Sequence, residues 1–149
     1  MSGYQQFLYL HMVVHLLVAL PLLFLGWKGW GAKGVGWGLA GTFGIDSDHF
    51  FRLFLHPSEF WDRLLAWNLF DGERAPFLLF HSFELAFVLM LVGWIWKDRL
   101  WPFLVVGAAF FVHLSLDMGT YALLGLHPAF YTWTGWVLGL SKVVWGQTF

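Results

Sequence analysis

The sequence predicts an all-α integral membrane protein, a bundle of four spanning helices with an interfacial amphipathic segment and a short fifth helix at the C-terminus. Three observations predict it. Of 149 residues, 59% are hydrophobic and only 11% charged, with 11 Trp and 17 Phe, and the mean hydropathy is +0.67. A soluble domain of this size has no use for so much apolar surface. The apolar residues fall in runs of roughly 20, the length that crosses a bilayer core. The breaks between runs carry glycine, lysine and tryptophan, as interfacial turns do. The chain has room for one transmembrane domain, residues 1–149, and none for a separate soluble catalytic domain.

The first run, 5–26, is broken only by His11, His15 and Pro21, and a kink is expected near the proline. It lacks a charged leader and a small-residue cleavage site, which predicts a retained helix. Trp27 to Gly34 is a glycine-rich turn with Lys28 and Lys33. The second span, 35–51, is short, and its glycines at 36, 38, 41 and 44 permit close helix packing in lipid. From Arg52 to Arg74 seven charged residues interleave with aromatics and leucines, predicting a segment that lies along the interface. The third span, 76–96, opens at Pro76 and closes at Lys97, Asp98 and Arg99. The fourth is 100–124. Residues 128–146 form either a fifth span or an interfacial helix.

Within these runs stand residues that hydrocarbon penalises: His11, His15, His81, Glu84, His113 and Asp117, with Asp46, Asp48 and His49 at the end of the second run. Insertion of an Asp costs about 2.5–3.5 kcal/mol at a helix centre, so intramembrane titratable residues mark function. A rise of about 1.5 Å per residue places His11 and His15, Asp46 to His49, His81 and Glu84, and His113 and Asp117 in one leaflet. His11 with His15 and His113 with Asp117 are four residues apart, and His81 with Glu84 three, so each pair would share a helix face. Asp46 and Asp48 act together only where the helix ends. His56 and His127, each before a proline, read as boundary residues.

The donor types select the chemistry. Cysteine is absent, which removes disulfides and thiolate sites and leaves imidazole and carboxylate. His15, Asp46, His49, His81, His113 and Asp117 are the expected ligands of one or two divalent ions. His11 and Glu84 are further candidates, and Asp48 and Glu84 are candidates for the general base. Zn²⁺ fits first, then Mn²⁺ or Fe²⁺. The expected reaction is hydrolysis of an amphiphilic ester or phosphoester by metal-bound hydroxide. A haem or chlorophyll carrier and an ion-pathway subunit are the alternatives. The lack of a basic cluster excludes nucleic acid as a partner, leaving the bilayer and a lipid-like substrate.

Taken in order, these motifs resemble the YdjM-like membrane-bound metal-dependent hydrolases. That family shows an early His, a D-x-D-H motif, a T-H-S segment and a final H-x-x-x-D. Here His15, Asp46-Ser47-Asp48-His49, Phe80-His81-Ser82 and His113 to Asp117 correspond, over roughly residues 11–120. The sequence departs ahead of His81, where Pro76 replaces the first His of the family's H-R-G-x-T-H-S. The resemblance implies a prokaryotic inner membrane. Lys28, Lys33, Lys97 and Arg99 lie on the face opposite the polar layer, against Arg52, Arg63 and Arg74 on its own side, so the positive-inside bias turns the layer away from the cytoplasm.

Overall fold

The structure, a computed structural model, describes residues 3–47 and 80–122 and the single positions 132, 134 and 137, the side chains of 3–9, 11 and 120–122 excepted. Among these residues all regular structure is helical: α1 Gly3–Gly44, α2 Phe83–Ile95 and α3 Lys97–Ala122. Two helical stretches, Met12–Gly44 and Lys97–Gly119, are long and apolar enough to cross a membrane, and Phe83–Ile95 is apolar but shorter. The interfacial segment expected over 52–74 lies outside the described residues, as does nearly all of the helix expected over 128–146.

α1 is two helical arms joined at Gly31, whose φ of 61° and ψ of −145° are not helical. The expected kink at Pro21 is not where the helix breaks, since helical dihedrals continue through it. The chain turns instead where a residue without a Cβ can hold positive φ. The two arms then run against each other, and a Cβ on Gly26 would stand 3.0 Å from the Gly34 carbonyl oxygen. The first arm buries His15, Ala19, Leu23 and Gly26, the second Gly34, Gly38, Gly41 and Ile45. Both are stripes at helical spacing, and the first places His15 in line with the packing residues. Because Gly31 occupies a conformation that costs other residues about 1–3 kcal/mol, Gly31→Ala is expected to lower stability by that amount. Thermal unfolding in detergent measures it.

α3 packs against both other helices. Its own start is irregular at Leu100 (φ −112°), so Pro102 falls in the first turn that follows, where a missing N–H is harmless. Against α2 it approaches backbone to backbone. A Cβ on Gly107 would meet the Met90 nitrogen at 2.7 Å, and one on Gly93 would meet Leu104. Small residues let helices close up in this way where no hydrophobic effect drives them together. Phe83 and Phe87 then set their rings edge-on to Phe111, each with centroids 5.5 Å apart. Ile45, Ala86, Phe110 and Leu114 form the buried cluster beside the polar residues.

Polarity is distributed inside out. Leu17, Phe24, Leu25, Phe87, Leu91 and Trp94 are more than half exposed, whereas His15, His81, His113 and Asp117 are buried. Exposed apolar surface of this extent marks an interaction site, with a bilayer or with another protein. Trp30 and Trp101 stack at 4.6 Å beside the Gly31 turn. His15 lies 16 residues before that turn, roughly 24 Å along the helix axis.

Candidate metal centre

Four chain segments deliver the polar cluster. α1 contributes His15 from the buried face of its first arm and Asp46 from the turn just after its second. Asp46 lies in the turn that follows the last helical residue, Gly44, next to the buried Ile45. His81 comes from the extended stretch ahead of α2, whose N-cap is Ser82 (φ −135°, ψ 129°). The helix face expected to carry both His81 and Glu84 is therefore not formed, because His81 precedes the helix. α3 supplies His113 and Asp117 one turn apart.

The distances join them into one network. His15 Nε2 lies 2.9 Å from Asp117 Oδ1, and His113 Nε2 lies 3.3 Å from Asp117 Oδ2. His113 Nε2 is also 3.5 Å from Asp46 Oδ1, which is 3.3 Å from His81 Nε2. The His15 and His113 rings touch, with centroids 3.9 Å apart. Among the described residues two sets have ligand atoms mutually within 4.8 Å: His15, His113 and Asp117, and Asp46, His81 and His113.

Thr42, which sequence reasoning did not single out, fixes the chemistry of His113. Its main-chain carbonyl oxygen lies 2.8 Å from His113 Nδ1. A carbonyl can only accept, so Nδ1 carries the proton and donates. Nε2 then directs its remaining valence at two carboxylates, an arrangement that calls for a positive charge between them, either a proton or a metal ion. An imidazole anchored through Nδ1–H to a backbone carbonyl is how metal-ligating histidines are commonly held. The donor set, three imidazoles and two carboxylates, suits Zn²⁺, Mn²⁺ or Fe²⁺. A backbone carbonyl leaves no signature in a sequence, although the glycines at 38 and 41 mark the close approach that brings it there.

Glu84 stands in neither set. Its carboxylate accepts from Ser82 Oγ at 2.7 Å and from the Thr134 amide at 3.1 Å. Ser82 Oγ in turn accepts from the Leu85 amide at 3.4 Å, so these contacts tie the start of α2. His11 lies in α1 one turn before His15, and its side chain is outside the described residues, as are Asp48 and His49 altogether.

No protein-family model, curated protein or solved structure matches this chain. The residues of the cluster themselves therefore carry the functional reading.

Proposed function

We propose that this chain is a membrane-embedded metal-dependent hydrolase, built as a four-span bundle with a fifth C-terminal helix, acting on an amphiphilic ester or phosphoester. One observation carries the reading: five buried or half-buried His and Asp side chains from distant parts of an apolar chain meet, each within 3.5 Å of at least one other. Such a cluster is costly in lipid unless it holds something positively charged. His15, Asp46, His81, His113 and Asp117 are the residues that would hold a divalent ion, Zn²⁺ first among the candidates, and the ion would supply Lewis acidity and an acidified water. The reading takes its reaction class from the likeness of these motifs to the YdjM-like hydrolases.

The chain's own residues divide the work. Thr42 holds the His113 ring through Nδ1–H, leaving Nε2 as the donor. Asp117 takes one oxygen to each of two imidazoles and so fixes both rings. On this reading the substrate reaches the site from within the leaflet, where bulk water is scarce and electrostatic interactions are stronger. Contact between the His15 and His113 rings leaves no space between them for a macrocycle, which favours an ion over haem. We further propose that the protein sits in a prokaryotic inner membrane with the cluster on the non-cytoplasmic side.

Elemental analysis of protein purified in detergent tests the reading. Wild type is expected to carry a stoichiometric divalent metal, and a chelator is expected to strip it and end hydrolysis of phosphatidic acid or phosphatidylglycerol in mixed micelles. Asp46→Ala is expected to hold less metal than wild type. Protein without stoichiometric metal, or hydrolysis that survives stripping, would refute the proposal.

A further inference from the structure

We infer that the end of the helices opposite the polar cluster is a binding site for anionic phospholipid headgroups, formed by Lys28, Lys33, Lys97 and Arg99. The inference rests on the chain lying in a bilayer and is independent of the metal-centre reading. Two turns far apart in sequence meet at this end. Lys28 and Lys33 flank Gly31, where the two arms of α1 join, and Lys97 and Arg99 open α3 just after α2 ends at Ile95. Trp30 lies on Trp101 with ring centroids 4.6 Å apart and planes within 5° of parallel, which pins one turn to the other. These four are every Lys and Arg among the described residues, and one acid, Asp98, stands with them. The other described acids, Asp46, Glu84 and Asp117, lie in or beside the polar cluster.

The four cations are placed for a partner outside the chain. All are exposed, and among the described residues none forms an ion pair with a carboxylate. Lys28 Nζ lies 5.5 Å from the centroid of the Phe24 ring, a contact that leaves its charge without a counter-ion. Around them Trp27, Trp94 and Trp96 are more than half exposed. Indole rings settle at the level of lipid headgroups, so these hold the ammonium and guanidinium groups at the depth of the phosphates. Charge then selects the lipid. A zwitterionic headgroup brings an ammonium group of its own, which the four cations repel, whereas an anionic one brings uncompensated negative charge. Each Lys or Arg close to an anionic leaflet raises affinity about fivefold. Arg99 can take two phosphate oxygens at once, and the lysines act as point charges.

Incubating the full-length protein in non-ionic detergent with equal amounts of phosphatidylglycerol and phosphatidylcholine, then quantifying the retained lipid by mass spectrometry, tests this. Wild type is expected to favour phosphatidylglycerol by at least about fivefold, the contribution of one basic residue. The preference is expected to vanish in about 1 M salt, where the Debye length falls to about 3 Å. Lys28→Gln, Lys33→Gln, Lys97→Gln and Arg99→Gln combined are expected to abolish it, and the pair from either turn alone to lower it part-way. Equal retention of the two lipids by wild type overturns the site, as does a preference that persists in high salt. A preference that survives the quadruple replacement also overturns it and assigns the anionic lipid to the polar cluster. Wild type without bound metal refutes the metal centre and leaves this site standing. Protein that stays soluble without detergent overturns both this inference and the membrane reading. The salt dependence of wild type decides even where the quadruple variant fails to fold.

Discussion

Replacing His113 with alanine is expected to reduce hydrolysis to background and to weaken divalent-ion binding by more than a hundredfold. Loss of an outer partner of a metal ligand costs about 10–100-fold in affinity or activity, and His113 is itself a donor. It also belongs to both donor sets, so its removal takes a ligand from the centre and separates the carboxylates of Asp46 and Asp117 from the ring that lies between them. Two carboxylates facing one site without that ring repel, which raises the cost of keeping both ionised. The variant is therefore also expected to be less stable. Isothermal titration with Zn²⁺ measures the affinity, and helical content by circular dichroism separates a lost site from a lost fold. Affinity within a few-fold of wild type would show that His113 is a packing residue.

Why the sequence made some of this readable follows from where each signal is stored. The helices and their apolar exteriors are written in long runs, and a His or Asp inside such a run is conspicuous because lipid penalises it. His15, His113 and Asp117 could thus be picked out, and their i, i+4 spacing holds because α3 is regular there. Depth arithmetic along each run could bring the groups to one layer. Contacts between runs leave no such trace. That Asp117 takes His15 with one oxygen and His113 with the other depends on the packing of α1 on α3, and the Thr42 carbonyl depends on backbone position alone. Helix ends are equally hard to place from composition. Ser82, read as part of a span opened by Pro76, is in fact the cap, and this one boundary moves His81 off the helix face that carries Glu84. Glycine carried information of two kinds, packing and turning, and Gly31 shows why the turn won over Pro21. Proline at one interior position is absorbed by continuing helical dihedrals, whereas positive φ needs glycine.

The second large effect is expected at a residue that carries no donor atom, Gly41. A Cβ added there would stand 2.6 Å from the Ala109 Cβ and 3.0 Å from the Val106 carbonyl oxygen. Neither neighbour is the free end of a flexible side chain, so the second arm of α1 must move off α3. Gly41→Val is accordingly expected to cost about 1–3 kcal/mol of stability, the usual penalty of overpacking. The displacement falls on the next residue, Thr42, whose hydroxyl donates to the Gly38 carbonyl at 2.9 Å and whose own carbonyl holds His113 Nδ1. Moving that carbonyl releases the ring, and Asp46, four residues further on, shifts with the same arm. Metal affinity is therefore expected to fall about 10–100-fold, the loss seen when a ligand's anchor is removed. Thermal unfolding and Zn²⁺ titration on the same preparation separate the two consequences. Gly36→Val, in the same arm, serves as the control, since nothing lies within 4 Å of a Cβ there, and it is expected to leave the affinity unchanged. Equal losses in both variants would mean that valine weakens the arm as a helix, and that the close approach of Gly41 to α3 does not set the position of His113.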